Sequence, residues 1–262
     1  MSDSLMKARF LALAVALALV GPQLFADARA DQWVEKARSA VGAEGALNQI
    51  RSIHFKGTLE TTQKVPVDGD ANNLKDEALV LGIDIVFQKP YQQRMVLRSD
   101  KVIETTALDG YDAWVRRADA SDEKKWQLSL LDVQQVKRLR ANTWENLNFY
   151  SGIEKRGGKL EFGGDASIDG RDCVKLIFTH AENIVFTRYF EKATGRLVKT
   201  ETENGGEIRE EGDISVQGLR FPRKLINKAP GGQVATITFE SITINEGFPA
   251  DVFAVPELMP PG

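Results

Sequence analysis

Cysteine and histidine are scarce in this chain. Its 262 residues include one cysteine, Cys173, and two histidines, His54 and His180. A lone cysteine excludes an internal disulfide and a cysteine-based metal cluster, so the fold must be stabilised by packing. Neither histidine has an Asp, Ser or Cys at a spacing typical of a catalytic triad, and no HExxH, GxSxG or Walker-type motif occurs. The sequence therefore predicts no metal site and no cofactor, and it favours structural roles for both histidines.

A strong excess of one charge is also lacking. Lysine and arginine total 34 against 37 aspartates and glutamates, which gives a net charge of −3. The densest basic stretch, KRLR at 137–140, falls on the polar face of a predicted helix. Most such short runs form a solvated helix face and bind neither nucleic acid nor membranes. We therefore expect no nucleic-acid partner.

No hydrophobic run is long enough to cross a membrane. The apolar run at 10–20 is well short of the about 20 residues that a membrane-spanning helix needs. It follows Lys7 and Arg9 and precedes the small residues Ala28 and Ala30, which is the three-part layout of a secretory signal peptide. We expect residues 1–30 to be removed by cleavage after Ala30, with cleavage after Ala28 as the alternative, and the protein to be exported to a periplasm. Residues 31–262 suffice for a single β-rich domain.

Two segments have the periodicity of amphipathic helices. Apolar or small residues recur every three or four positions across 31–50 and across 132–150. In the first segment Gly42 and Gly45 predict a break, since each glycine costs a helix interior about 1 kcal/mol relative to alanine. Both helices are expected to pack against a sheet, which makes the fold class α+β.

Most of the remaining chain has the patterns of β-strands. Alternation at 83–88 and 94–98 predicts two strands around the turn Lys89-Pro90-Tyr91. From 159 to 245, glycine-containing turn signals separate short strands, which predicts an antiparallel meander. Strands at 173–178 and 184–190 are apolar on both faces, so both faces must be covered. The polar segment 66–75 is predicted to be a long loop.

The stretch DGYDAWV at 109–115 allows a chemical and an architectural interpretation. Asp109 and Asp112 could form an acid/base pair, but the same Asp-Gly-x-Asp pattern recurs at 169–172, ahead of another apolar strand. Such a repeat favours a turn, because the aspartate caps it and the glycine adopts a positive φ. Trp114, in the outgoing strand, should face inward, either as ordinary core or as the lining of an apolar cavity.

The order of these elements resembles that of the LolA/LolB-like superfamily of periplasmic lipoprotein carriers and receptors. ARSAVGAEGALNQIRSIHFKGTLE at 37–60 resembles the opening helix, glycine-rich break and first strand of that family. IVFQKPYQQRMVL at 85–97 resembles its Phe-x-Lys/Arg-Pro strand pair, DGYDAWV its Asp-Gly…Trp hairpin, and 248–256 its closing Phe and Pro pattern. The resemblance implies an unclosed β-barrel, a half-barrel whose concave face is covered by helices around a cavity for acyl chains. It also implies that Lys89 and Arg94 are basic residues at the cavity mouth.

These observations predict a monomeric, non-enzymatic periplasmic protein that binds or carries a lipid or an acylated protein. The alternative is a module on the same fold that recognises other envelope proteins through a sheet edge or helix face, with its cavity filled by its own side chains. A more distant alternative is a hydrolase that uses Asp109, Asp112 or His180. For the carrier, the residues expected to line the cavity are Phe87, Met95, Leu97, Trp114, Phe186 and Phe190.

Overall fold

The structure is a computed structural model that describes residues 22–67 and 70–257. Its three α-helices are α1 (Pro22–Val41), α2 (Glu44–Asn48) and α3 (Val133–Asn148). The strands are β1 (Ser52–Val67), β2 (Asp70–Gln88), β3 (Gln92–Arg98), β4 (Val102–Asp109), β5 (Asp112–Asp119), β6 (Trp126–Leu130), β7 (Lys159–Ile168), β8 (Arg171–Ala181), β9 (Ile184–Glu191), β10 (Leu197–Thr202), β11 (Glu207–Val216), β12 (Leu219–Lys228) and β13 (Val234–Ile244). Short 3-10 turns occur at Glu154–Arg156 and Ala250–Val252.

Both predicted helical segments are helices. The break expected near Gly42 separates α1 from α2, and the helix expected at 132–150 is α3. Asp132 caps α3, since its side chain accepts from the backbone N–H groups of Gln134 and Gln135 while the Gln135 side chain accepts from the Asp132 N–H. Helix α1 begins at Pro22, earlier than the predicted residue 31. The signal peptide prediction falls mainly on residues 1–21, which lie outside the described part of the chain.

The thirteen strands form one antiparallel sheet in the order β6-β5-β4-β3-β2-β1-β13-β12-β11-β10-β9-β8-β7. Two meanders, β1 to β6 and β7 to β13, meet where β1 pairs with β13 in the middle of the sheet. The chain leaves the sheet at one edge, β6, and returns at the opposite edge, β7. Helix α3 lies between these two strands in the sequence. The prediction of an α+β fold with an antiparallel meander and an unclosed sheet is confirmed.

Helix α3 covers the concave face of a curved sheet. Thirteen strands about 4.8 Å apart span an arc of about 58 Å, whereas a helix of sixteen residues is about 24 Å long. Even so, α3 packs against β2, β3 and β4 on one side and against β9 on the other. A flat sheet could not bring these strands to one helix, so the sheet is bent into a half-barrel around α3.

A β-bulge in the central strand pair contributes to this bend. The register between β1 and β13 shifts at Lys56 and Gly57, and such a shift bends and twists the bulged strand. A side chain at Gly57 has no space, because an added Cβ would lie 1.9 Å from the carbonyl oxygen of Thr238. Glycine is therefore required at this position for the close approach of the two backbones.

The prediction of a long loop at 66–75 is wrong. Strands β1 and β2 continue through this region as a paired hairpin, with Val65 opposite Lys75 and an ion pair of 2.8 Å between Lys64 and Asp76. Residues 68 and 69 lie outside the described part of the chain. The hairpin escaped detection because its outer part is exposed on both faces, so its sequence lacks the apolar alternation that marks a half-buried strand.

Arg38 joins all three helices. Its side chain is buried in α1, donates two hydrogen bonds to the Glu44 carboxylate of α2 at 2.7 and 2.8 Å, and donates to the carbonyl oxygens of Asn148 and Phe149 at 2.6 and 3.0 Å. These two carbonyls belong to the C-terminal end of α3, where helical carbonyls have no partner in the helix. The hydrogen bonds from Arg38, and to a smaller extent its charge, also lower the pKa of Glu44.

Replacing Arg38 should therefore loosen the helices from one another. We expect Arg38→Met to lower the free energy of unfolding by about 3 kcal/mol, because two carbonyls lose charge-assisted hydrogen bonds in a buried site. Arg38→Lys, which keeps the charge but not the planar fork, should have an intermediate effect. Urea denaturation measures both. An Arg38→Met midpoint equal to that of the native protein would rule out this role.

Candidate functional site

A cavity of about 330 Å³ lies between α3 and the concave face, which we call the inner face of the sheet. Its volume is near the lower end of the range for small-molecule pockets, about 300–1,000 Å³. Strands from both meanders supply its wall: β1, β2 and β3 from the first and β9 to β13 from the second. The cavity is therefore formed only when the two halves of the sheet have curved around the helix.

One end of the cavity is apolar. The cross-strand pairs of β1 with β2 and of β2 with β3 place Phe55 beside Ile85, and Ile85 beside Met95. These residues share the inner face because side chains alternate between the faces of a sheet. Aromatic rings then pack across the strands, with Phe55 and Phe239 at a centroid distance of 4.8 Å. The principal apolar wall residues are Phe55, Phe87, Met95, Phe221, Leu225 and Phe239.

The other end of the cavity is polar and contains a buried ionic network. Glu145 of α3 accepts at both oxygens, from His180 Nε2 at 2.5 Å and from Arg188 Nη1 at 2.5 Å. Burial alone would raise the pKa of Glu145, but the charge of Arg188 and the hydrogen bond with His180 outweigh it and hold this pKa below its usual value. The network ties α3 to β8 and β9, and Glu145 and Arg188 both contribute to the cavity wall.

Three further ionisable residues lie at this end. Tyr150, Glu210 and Arg220 line the same cavity. Burial raises the pKa of Tyr150, and nearby Glu210 raises it further. Burial likewise raises the pKa of Glu210 above its ordinary value, although Arg220 and Arg188 act in the opposite direction. The cavity is therefore amphipathic, with an aromatic and aliphatic end and an end rich in ionisable groups.

Of the six residues expected on the cavity wall, the structure places three there: Phe87, Met95 and Phe186. Leu97 shares the inner face with Met95 but packs against the core beside the cavity. Phe190 is fully buried in a second core cluster, together with Ala30 and Val34 of α1. These two residues pack beside the cavity without lining it.

Trp114 requires a correction, because it lies on the opposite, outer face of the sheet. Its cross-strand neighbour on β4 is Ala107, which pairs with Arg94 on β3, and Arg94 pairs with Val86 on β2. Val86 alternates with the inner residue Phe87, so this whole row of side chains points outward. The indole N–H of Trp114 donates to the carbonyl oxygen of Phe253 at 3.0 Å, under the C-terminal segment.

The expectation that Lys89 and Arg94 lie at the cavity mouth also needs a correction, because of the same strand register. Arg94 belongs to the same outer row as Trp114, so it cannot face the cavity. Lys89 follows β2, where its backbone N–H donates to the Arg51 carbonyl at 2.8 Å, and it is not part of the cavity wall. Burial, followed by the charges of Arg51 and Arg38, lowers the pKa of Lys89. The sequence showed where the strands lie but not which face each residue takes.

Sequence reasoning missed the polar end of the cavity. Arg188 lies between Phe186 and Phe190, at the inward position of a strand that is apolar on both faces. A charged residue at an inward position of such a strand is rarely fully buried without a partner, and this signal could have been used. Glu145 was harder to find, because an acidic residue on a predicted amphipathic helix is ordinarily assigned to its solvated side.

The proposed acid/base chemistry finds no support at DGYDAWV. Asp109 and Asp112 are paired ends of β4 and β5 around a two-residue turn, with Gly110 at φ 63°. The second Asp-Gly-x-Asp is also a hairpin turn, with Gly170 at φ 77°. His54 is buried against Glu246 and Asp84, away from the cavity wall. Within residues 22–67 and 70–257 no group of acidic, histidine or cysteine side chains is arranged to hold a metal ion.

Comparison with known proteins supports the fold. The chain aligns with a LolA superfamily protein from Nitrosomonas europaea at 13% identity and a TM-score of 0.54, over 86% of this chain and 97% of the other. A putative outer membrane lipoprotein-sorting protein domain from Vibrio parahaemolyticus aligns at 10% identity and a TM-score of 0.53, with the same coverage. A DUF1329 family protein from Desulfovibrio piger aligns at 10% identity and a TM-score of 0.52, again over 86% and 97%. No family model and no curated protein matches the sequence.

These alignments establish that the chain has a LolA-like fold. At identities of 10 to 13% they carry the architecture but no residue roles. A search of the helices within the described residues found none that combines the length and the hydropathy of a membrane span. The class of protein is thus defined by a half-barrel with an amphipathic cavity between its concave face and α3.

Proposed function

We propose that this protein is a non-enzymatic periplasmic binder or carrier whose cavity takes an acyl chain of a lipid or of an acylated protein. The observation that carries the proposal is the apolar end of the cavity, where aromatic rings from β1, β2, β12 and β13 line the space under α3. The residues that would touch the chain include Phe87, Met95 and Phe186. The similarity in fold to a protein described as a lipoprotein-sorting domain points in the same direction.

Hydrophobic transfer alone is sufficient for useful affinity. Each buried CH₂ contributes about 0.8 kcal/mol, so eight methylenes contribute about 6 kcal/mol before the costs of association and ordering. Micromolar binding corresponds to about 8 kcal/mol and is reached when the chain is longer or when a polar group is also bound. A cavity of about 330 Å³ matches a small ligand rather than several long chains.

Native mass spectrometry of protein exported and purified from a bacterial host tests the proposal. A carrier should retain an adduct in the mass range of a fatty acid or lipid, which dissociates on collisional activation and can be identified after extraction. The same protein after delipidation should regain the adduct when it is incubated with palmitate. Protein that is free of adduct, and that takes up none when palmitate is added, would contradict the proposed function.

The same spectrum reports the mature N-terminus, for which the sequence left two choices. The structure favours cleavage after Ala28 over cleavage after Ala30. Ala30 is completely buried in a core cluster under α1, and the Arg29 guanidinium lies 4.0 Å from the centre of the Phe162 ring. Cleavage after Ala30 would remove both contacts. We expect the intact mass of a chain that begins at Arg29, and a chain that begins at Asp31 would contradict this expectation.

The alternative of an interaction module is favoured by one feature, the outer part of the β1–β2 hairpin. Pairing of β1 with β13 ends at Glu60, and pairing of β2 with β3 begins at Gly82, so beyond these residues the two strands pair only with each other. Leu74 and Val80 are exposed on this two-stranded arm. A protein that binds no lipid in the experiment above would make recognition of another envelope protein the leading function.

A further inference from the structure

The polar end of the cavity contains hydrogen-bond donors without partners. Arg188 is 8% exposed, and only its Nη1 donates, to Glu145. Within the described residues Nε has no hydrogen-bond partner and is fully buried, and no bond is formed by Nη2. The Arg188 Cζ lies 4.9 to 5.5 Å from the centres of the Tyr150, Phe178 and Phe186 rings, but these contacts do not replace the hydrogen bonds that its buried donors lose when they leave water. The side chain borders the cavity, so a ligand can reach this guanidinium.

The groups around Arg188 also lack partners. The hydroxyl of Tyr150 and the carboxyl of Glu210 form no hydrogen bond to any described residue, although both line the cavity beside Arg188. Glu145 differs from these groups, since each of its oxygens already accepts one hydrogen bond, from His180 and from Arg188. When Glu210 is protonated, these three groups (the guanidinium, the phenol and the carboxylic acid) can all donate a hydrogen bond to a ligand.

We propose that this polar end is a head-group subsite, in which Arg188 binds the anionic oxygens of a single-chain amphiphile, either a carboxylate or a phosphate. The proposal rests on the proposed function and names the ligand class for the same cavity. An anion suits the site because its oxygens can accept from Nη2 of Arg188 and from the phenol and carboxylic acid beside it, and hydrogen bonds from a guanidinium to carboxylate or phosphate oxygens are charge-assisted. The acyl chain would extend from Arg188 toward the aromatic end at Phe55 and Phe87.

The geometry of the sheet supports this orientation. Arg188 is on β9 and Phe87 is on β2, which is six strands further along the order β9-β10-β11-β12-β13-β1-β2. The charged wall residues lie on β9, β11, β12 and α3, whereas β13, β1 and β2 contribute only apolar side chains among the described residues, and the polar wall residue Gln93 lies beyond them on β3. Polarity is thus graded along one direction of the cavity. An amphiphile has only one orientation in which both of its ends are matched.

Binding of an anion should be linked to the protonation of Glu210. The charges that act on this carboxyl are those of Arg220 on β12, Arg188 on β9 and Asp213 on its own strand, and Glu210 in turn raises the pKa of Tyr150, which follows α3. When Glu210 is ionised it repels an incoming carboxylate, and when it is protonated it donates to it. Because burial raises its pKa, the affinity for palmitate should fall as the pH rises through that pKa. Glu210→Gln should flatten this dependence and strengthen binding at the alkaline end.

A series of ligands with one chain and different heads tests the proposal on the native protein. The probes are palmitate, 1-palmitoyl lysophosphatidate, hexadecanol and hexadecyltrimethylammonium, each titrated below its critical micelle concentration. We expect one or both anions to bind about 10- to 100-fold more tightly than hexadecanol, as a charge-assisted hydrogen bond predicts, and the cation to bind most weakly. The tighter of the two anions identifies carboxylate or phosphate as the preferred head.

Variants separate the subsite from the cavity. Arg188→Met should bring the affinity for the anions down to that for hexadecanol while leaving hexadecanol unchanged. If Arg188→Met does not fold because Glu145 is left unpaired, the double variant Arg188→Met with Glu145→Gln removes both charges together. Equal affinity for all four heads in the native protein, or tightest binding of the cation, would overturn the subsite but leave acyl binding intact. Binding of none of the four would overturn the proposed function itself.

Discussion

Leu225→Trp should abolish or severely weaken the binding of palmitate while the protein remains folded. Leu225 lies on the cavity wall, half-buried, between Glu210 on β11 and Ile237 on β13. An indole at this position would fill the middle of the cavity and displace part of the acyl chain. If about three methylenes are excluded, the loss is about 2.4 kcal/mol, or about 50-fold in affinity. Titration with a fluorescent fatty acid measures the change.

The neighbouring residue supplies the control for this substitution. Lys224 is exposed on the same strand, and successive side chains point to opposite faces, so Lys224→Trp adds the same indole outside the cavity. We expect Lys224→Trp to bind palmitate like the native protein. Near-UV circular dichroism should show ordered tertiary structure in both variants. Unchanged binding by a folded Leu225→Trp protein would show that the acyl chain does not use this cavity.

Trp114→Ala should destabilise the fold by about 3–5 kcal/mol, the cost typical of removing a large aromatic side chain from a core. Only 4% of the surface of Trp114 is exposed, and its indole holds the C-terminal segment through the bond to Phe253. The affinity for palmitate should stay within about twofold of the native value under conditions where the variant is folded, because the side chain lies on the outer face. Urea denaturation and ligand titration on the same sample measure the two effects.

A second tryptophan tests whether the loss of stability is specific to the buried position of Trp114. Trp126 on edge strand β6 is half-buried, with the Arg116 guanidinium 5.3 Å from the centre of its ring. Trp126→Ala should lower the free energy of unfolding by on the order of 1 kcal/mol, well under the loss expected for Trp114→Ala. A Trp114→Ala protein that kept native stability but lost ligand affinity would reverse the assignment and return this residue to the cavity wall.

The order of elements could be predicted from the sequence because each element has a strong local signal. These signals come from residues that are close together in the sequence. They are the apolar periodicity and N-terminal cap of α3, the glycines that end α1, and the turn residues between the strands from β7 to β13. The outer β1–β2 hairpin could not be predicted in this way, because it is exposed on both faces and carries no apolar alternation.

The site was harder to predict, because a strand pattern tells which residues share a face but not which face is concave. Trp114 and Phe87 were assigned to one cavity, yet the register of β2 to β5 puts them on opposite faces. Both faces are apolar there, since α3 covers one and the C-terminal segment covers the other. The network of Glu145, His180 and Arg188 joins α3 to strands 35 and 43 residues further along the chain, beyond the reach of any local pattern.

Titration of the delipidated native protein with palmitate tests the central claim most directly. Isothermal titration calorimetry at two temperatures gives the stoichiometry, the affinity and the heat-capacity change of binding. We predict one saturable site with a micromolar or lower dissociation constant, and a negative heat-capacity change from burial of the acyl chain in the cavity under α3. The absence of saturable binding up to the critical micelle concentration would contradict the account.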